Sequence, residues 1–161
     1  MTIDVFIEIP KGGLVKYEYD KKADKIRVDR FLHGAMYFPF NYGYIENTLS
    51  EDGDPVDVIV LSSKSVVPGC LMKCHTIGIL EMEDEAGIDT KIVAVPDQKI
   101  DPLFGKYRDV SQVDETTKEK IRNFFEHYKD LEKGKWVKLK DWKDNKSAEM
   151  EIKTSLKRTK K

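Results

Sequence analysis

The amino-acid sequence predicts an α+β fold, with about six or more short strands forming a small barrel or strongly twisted sheet ahead of the main helices. Two observations predict it. Residues 5–96 read as short alternating or apolar runs cut by glycine and proline, and beyond residue 111 apolar residues recur at helical spacing. The strands come first and the helices later, without alternating β-α-β units, which argues against a parallel α/β architecture.

Each element follows from its own pattern. Residues 5–9 alternate, with Val5, Ile7 and Ile9 on one face and Phe6 and Glu8 on the other. Pro10, Gly12 and Gly13 then break the chain. Leu14 to Tyr19 alternates again, with Lys16 and Glu18 sharing a face, and "ADKIRVDRF" is a third short strand ending near Arg30. "MYFPFNYGYI" (36–45) is aromatic-rich but interrupted by Pro39 and Gly43, which predicts a shaped loop leading into a short strand. Val56 to Leu61 is an apolar run but for Asp57, as in a strand buried on both faces. Residues 71–82 form a longer strand, "EDEAGID" a loop, and "TKIVAVP" (90–96) the returning partner. Ile121, Phe124, Phe125, Tyr128 and Leu131 then fall at helical spacing, with Asp114 or Ser111 as N-cap and Gly134 as the stop. "KWVKLKDW" is a strand, and Asp144 or Asn145 caps a last helix with Ala148, Ile152 and Leu156 on one face. Its basic end (Lys157, Arg158, Lys160, Lys161) suits a helix C-terminus. No basic stripe continues upstream, so it does not read as a nucleic-acid patch.

At 161 residues the chain is expected to be a single domain, residues 1–161, long enough to bury a core without staples. Lys plus Arg (28) nearly balances Asp plus Glu (29), so any functional charge is local. Cys70 and Cys74 form no disulfide framework and read as free thiols of a reduced compartment. "MTIDVFIEIP" carries acids early and has no basic n-region or long apolar run, so neither a signal peptide nor a membrane span is expected. A cytoplasmic location follows as the expectation.

The chemistry concentrates in "EDGDPVD", where Asp52, Asp54 and Asp57 surround Gly53 and Pro55. The glycine permits a bend and the proline pushes Asp54 toward extended backbone, so the three carboxylates can point at one place. On this segment alone an ordinary Asp/Gly/Pro turn stays open. An EF-hand does not fit. Counted from Asp52, the sixth position is Asp57 where glycine is required and the twelfth is Ser63 where glutamate is required. A second acidic cluster, Asp84, Glu85 and Asp89, precedes Lys91, which shares a strand face with Asp89. Glu8 and Glu18 add two carboxylates on strand faces. Oxygen-only donors suit hard cations, and His33, His75 and His127 offer no zinc spacing. Lys16, Arg30, Lys91 and the pair Tyr128–Lys129 stand near matching turns, as donors to phosphate would. Carboxylates for metal, with cations and phenols for phosphate, are the parts that metal-assisted phosphoryl transfer to water requires.

With these residues in view, the sequence resembles the soluble family I inorganic pyrophosphatases. Asp52–Gly53–Asp54–Pro55–Val56–Asp57 matches the family signature D-[SGDN]-D-[PE]-[LIVMF]-D. "IEIP" with "VKYE", "VDRF", "FNYGYI", "DEAGIDTK", "VAVP" and "FFEHYKDLEKGKWVK" resemble family segments in family order, so the likeness covers nearly the whole chain. It implies a five-stranded OB-like β-barrel with additional short strands and two main helices packed outside. It implies Mg²⁺-dependent hydrolysis of inorganic pyrophosphate, several metal ions per site, and a homohexamer. Carried over residue by residue, Asp52, Asp57 and Asp89 would hold the principal metals, and Asp54 would accept the proton of the attacking water. Asp84 and Glu85 would help bind metals that arrive with the substrate, and Glu8 would reach one of these. Lys16, Arg30, Tyr42, Lys91, Tyr128 and Lys129 would contact the phosphates, and Glu18 would sit behind them near Lys16 or a metal-bound water.

One departure stands out. The family commonly has tyrosine immediately before the proline of "MYFPFNYG", and here that residue is Phe38. Tyr37 is one position away and points oppositely in extended chain, so neither is counted in the site.

Two competing readings remain at this stage. An OB-like barrel exposing Phe38, Phe40, Tyr42 and Tyr44 beside a basic tail would bind single-stranded nucleic acid, although the acidic clusters would repel phosphates without metal. A divalent-metal buffer would explain the carboxylates and leave the interleaved cations idle.

Overall fold

The computed structural model describes residues 1–159. Nine strands and two helices follow one another as β1 (Thr2–Ile9), β2 (Val15–Asp20), β3 (Lys25–Phe31), β4 (Asn41–Ile45), β5 (Val56–Val60), β6 (Leu71–Asp84), β7 (Gly87–Ile88), β8 (Lys91–Pro96), α1 (Glu115–His127), β9 (Val137–Lys143) and α2 (Asn145–Arg158). Five strands pair in the order β1-β4-β5-β8-β6, and β6 pairs back onto β1, so the sheet closes into a barrel. All barrel pairings are antiparallel except β5–β8, which is parallel through Val58 and Ile92. β7 and β9 extend the long strand β6, and β2–β3 forms its own two-stranded sheet. Closure satisfies the strand edges that an open sheet would expose.

Alternation divides the apolar residues into two clusters. Val56, Val58 and Val60 of β5 join Ile3, Val5, Ile7, Ile92 and Ala94, together with Ala148 and Ile152 of α2. Ile59 faces the other way with Tyr42, Val93 and Val95, and Ile121, Phe124 and Phe125 of α1 complete that cluster. Both faces of β5 are therefore buried beyond Asp57, as the apolar run from Val58 predicts.

Several local expectations are corrected. β1 slips register between Ile7 and Ile9, so Glu8 is an inserted residue opposite the Tyr42–Gly43 step. The bulge sends Ile9 into the α1-side cluster, away from Val5 and Ile7. Gly43 does not interrupt the chain but lies inside β4, where a Cβ would sit 1.9 Å from the carbonyl oxygen of Phe6. Only glycine allows β1 and β4 to approach so closely. "EDEAGID" is not a bare loop, because Gly87 and Ile88 pair with Asp84 and Glu83.

Asp114, not Ser111, caps α1, accepting from the Thr117 N–H at 2.8 Å, while Ser111 lies in a 3₁₀ turn at Val110–Gln112. The helix ends at His127 with Tyr128 as C-cap, well short of Gly134, and Leu131 is 69% exposed in the turn beyond it. Asp144 caps α2, whose buried face is Ala148, Ile152 and Ser155 rather than Leu156. Lys157 and Arg158 occupy its last turn, and Lys160 and Lys161 lie outside the described residues. Among the described residues no helix is long and apolar enough to cross a membrane, and Cys70 and Cys74 are free thiols.

Candidate active site

The acidic loop between β4 and β5 is shaped from its base. Thr48 is buried, donates its hydroxyl to the Ile45 carbonyl at 2.5 Å, and accepts from the Val56 N–H at 2.9 Å. The Ser50 N–H donates to the Asp54 carbonyl at 2.7 Å and the Asp54 N–H to Asp52 Oδ1 at 3.0 Å. Gly53 turns the chain at φ +94°, in the left-handed region that favours glycine. The Asp/Gly/Pro turn expected from the sequence is therefore present, and it leaves the carboxylates of Asp52, Asp54 and Asp57 on one cleft.

Asp52, Asp54, Asp57, Asp84, Glu85 and Asp89 line one cavity of about 330 Å³, with Lys16, Arg30, Tyr42, Lys91, Tyr128 and Lys129 around them. Glu8 and Glu18 line an adjoining cavity of about 440 Å³ that shares Lys16, Tyr42, Asp54 and Asp57 with the first. All residues singled out from the sequence thus border one continuous cleft. The barrel explains the convergence. β5 and β8 are parallel neighbours, so Asp57 and Lys91 meet at their starting ends, and β6 ends beside them at Asp84.

Charges within the cleft are interleaved. The Lys91 ammonium is buried, lies 2.6 Å from Asp57 Oδ2, also contacts Asp89, and stands 5.7 Å over the Tyr42 ring. Burial alone would lower its pKa, yet Asp57, Tyr42 and Asp89 hold it well above the ordinary lysine value. Lys129 bonds Asp84 at 2.8 Å and lies 5.5 Å over the Tyr128 ring. Burial raises the Asp52 carboxyl, and the negative neighbours Asp54, Asp89 and Asp57 add to it. Burial likewise raises Asp89, with Lys91 opposing. Glu8 is pushed up to about 7 by burial, although it accepts the Tyr19 N–H at 2.7 Å. Burial also raises both phenols, Tyr42 and Tyr128.

On the β2–β3 hairpin, Lys16 stands directly opposite Arg30. A second register slip makes Asp29 the inserted residue, and its carboxylate bonds Arg30 and lies 3.5 Å from Lys16. Glu18 bonds Lys16. Without Asp29 between them, the two cations would simply repel.

Three residues that line this cleft or bond its lining escape sequence reasoning: Asp29, Glu132 and Lys135. Lys135 lines the main cavity and bonds Glu85 at 2.6 Å; burial pushes that carboxyl up, but Lys135, backbone N–H groups and Lys129 together bring it down to about 2. Glu132 bonds Arg30. The available signal was the alternating charge of "KDLEKGK", which continuing the helix through Leu131 obscured.

The aromatic alternative is overturned. Phe38, Phe40, Tyr42 and Tyr44 are only 1–8% exposed and pack into or against the core, so they offer no platform for base stacking. Phe38 lies 4.6 Å from Phe124 and 5.6 Å from Tyr42, ring to ring. Phe38→Tyr is expected to change kcat/KM for hydrolysis by less than roughly tenfold, about 1.4 kcal/mol. A larger change in either direction would make the position part of the site.

Every donor in the cleft that could take a metal is a carboxylate, which suits a hard divalent cation. As placed, no three His, Cys, Asp or Glu side chains among the described residues converge on one point for an ion, because Lys91 and Lys129 hold Asp57, Asp89 and Asp84. The donor set fits such a cation in kind, and a cation taking Asp57 and Asp89 competes with Lys91.

Known proteins resemble this chain in sequence and fold. A family profile described as "Inorganic pyrophosphatase" matches residues 5–160. An inorganic pyrophosphatase of Aquifex pyrophilus is 54% identical over 159 residues, covering 99% of this chain and 90% of that protein. One from Aeropyrum pernix is 51% identical over 159 residues, again covering 99% and 90%. The solved structure of the Helicobacter pylori inorganic pyrophosphatase superposes with a TM-score of 0.97 at 43% identity, covering 99% of this chain and 94% of that one. A barrel of this topology, a cleft of interleaved carboxylates and cations at the ends of β5, β6 and β8, and a likeness that runs the length of the sequence agree: the chain belongs to the inorganic pyrophosphatase family of hydrolases.

Proposed function

We propose that this protein hydrolyses inorganic pyrophosphate to two orthophosphates with Mg²⁺ as its metal. The supporting observation is the interleaving of carboxylates with Lys16, Arg30, Lys91 and Lys129 in one cleft. A bare acidic cleft would repel a polyanion, and a metal buffer would have no use for the cations. Family membership implies a divalent metal, which when bound supplies charge neutralisation and lowers the pKa of water toward neutrality. Asp52, Asp57 and Asp89 would hold the principal ions, and Asp84, Glu85 and Glu8 those accompanying the substrate. The other residues bind, orient and move protons. Asp54 accepts a proton from the attacking water, whose oxygen forms the new P–O bond as the bridging P–O bond breaks. Lys16, Arg30, Tyr42, Lys91, Tyr128 and Lys129 donate to the phosphate oxygens and neutralise charge on the leaving phosphate. Glu18 keeps Lys16 in place through its ion pair.

The resemblance also supports a homohexamer, and the two free thiols support residence in the cytoplasm. The deciding assay measures phosphate release from pyrophosphate and from a nucleoside triphosphate, with and without Mg²⁺. Release from pyrophosphate that requires the metal is expected. Absence of release at saturating Mg²⁺ would overturn the proposal.

A further inference from the structure

Glu132 lies in the turn after α1, outside the lining of the cleft, yet its side chain is only 8% exposed. Its Oε1 accepts from the Nε–H of Arg30 at 2.9 Å, joining residues far apart in the chain. A carboxylate buried to this degree needs a partner, and Arg30 supplies it. The backbone on either side is also fixed. The Glu132 N–H donates to the Lys129 carbonyl at 2.8 Å, and its own carbonyl accepts from the Lys135 N–H at 3.1 Å. Both of those lysines end in the cleft.

The arginine it holds stands on β3, in the sheet that makes no strand pairing with the barrel. Lys16 and Arg30 therefore face the barrel carboxylates from a separately mounted hairpin. Arg30 has two anchors, Asp29 and Glu132. Asp29 is its chain neighbour and travels with the hairpin. Glu132 belongs to the turn that carries Tyr128 and Lys129, so of the two anchors it alone ties the guanidinium to the opposite wall of the cleft. A guanidinium is planar and carries five N–H donors. With Nε–H given to Glu132 and one Nη1–H to Asp29, two anchors set its plane, and the other three have no protein partner among the described residues.

We propose that Glu132 is a positioning residue for pyrophosphate binding: by holding the Nε edge of Arg30 it presents the remaining N–H groups to a phosphate of the substrate. The inference rests on Arg30 being a phosphate contact. Glu132 itself touches no substrate and adds negative charge near a polyanion, so its contribution is geometric.

Steady-state kinetics on pyrophosphate test it. Glu132→Ala is expected to raise KM about tenfold with kcat altered less than about threefold, the size expected for one lost hydrogen bond to a charged group. Glu132→Met keeps the buried volume without an acceptor and carries the same expectation should the alanine variant fail to fold. Glu132→Gln retains a carbonyl acceptor for Nε–H and restores KM to within about threefold of wild type. In an Arg30→Ala background, Glu132→Ala adds no further rise in KM. A wild-type KM in Glu132→Ala or Glu132→Met, failure of glutamine to restore it, or the same rise with Arg30 absent would each overturn the proposal. An Arg30→Ala variant with unchanged KM would instead overturn the role of Arg30, which separates the two failures.

Discussion

Asp54→Asn is expected to lower kcat by about 10²–10⁴ at saturating Mg²⁺, the usual range for loss of a general base. The structure distinguishes Asp54 from the carboxylates around it. Asp57 and Asp89 are engaged by Lys91, Asp84 by Lys129, and Asp52 by the Asp54 N–H. The Asp54 carboxylate makes no hydrogen bond or ion pair among the described residues, and it borders both halves of the cleft. It is the carboxylate with its lone pairs free for an incoming proton. Asparagine has nearly the same size, and the backbone bond from Ser50 to the Asp54 carbonyl does not involve the side chain, so the loop should persist. Circular dichroism checks the fold and a phosphate-release assay the rate. Turnover near wild type would remove Asp54 from the role.

Gly43→Ala is expected to cost about 3 kcal/mol or more, with Tm falling by about 10 °C. The added carbon would meet the Phe6 carbonyl oxygen at 1.9 Å and the Ile7 Cα at 2.9 Å. Both are backbone atoms, so β1 or β4 must move rather than a flexible side chain. Domains are only marginally stable, and a loss of this size removes much of the margin. Function suffers in the fraction that stays folded, because Tyr42 precedes Gly43 and Tyr44 pairs with Asp57. Thermal unfolding beside kcat measures both effects. A Tm within about 2 °C of wild type would mean that the two strands separate more easily than their packing indicates.

The contrast between these positions shows what a sequence can express. Asp54 sits in a pattern whose chemistry is readable, because like charges beside Gly53 and Pro55 require an explanation. Strands such as β5 and β8 are legible because burial on both faces demands apolar runs such as Val58–Val60 and Ile92–Val95. Gly43 looked like a break because a glycine required by a close strand approach carries the same letter as a glycine required by a turn. The bulges at Glu8 and Asp29 leave no trace in composition, since they are defined by pairing with strands elsewhere. The end of α1 misled for a related reason. Leu131 continues the helical period, but the turn is held by Lys129 on Asp84 and Glu132 on Arg30, which are tertiary contacts. The same contacts hid Glu132 and Lys135 from a reading confined to local pattern.

Closure of the barrel also governs how the protein assembles. β5 and β8 run parallel, so no hairpin can join them, and β1 reaches β6 across a long stretch of chain, in pairs running from Thr2–His75 to Phe6–Leu71. Non-local pairings of this kind fold slowly, because loop entropy is lost before the contacts that compensate for it are made. Asp57, Asp84, Asp89 and Lys91 meet only when β5, β6 and β8 lie side by side. The charge cluster is therefore expected to be completed late, on the native side of the folding barrier. A divalent cation supplied to the refolding chain is then expected to slow unfolding and leave the folding rate nearly unchanged, which stopped-flow refolding and unfolding with and without the cation would measure.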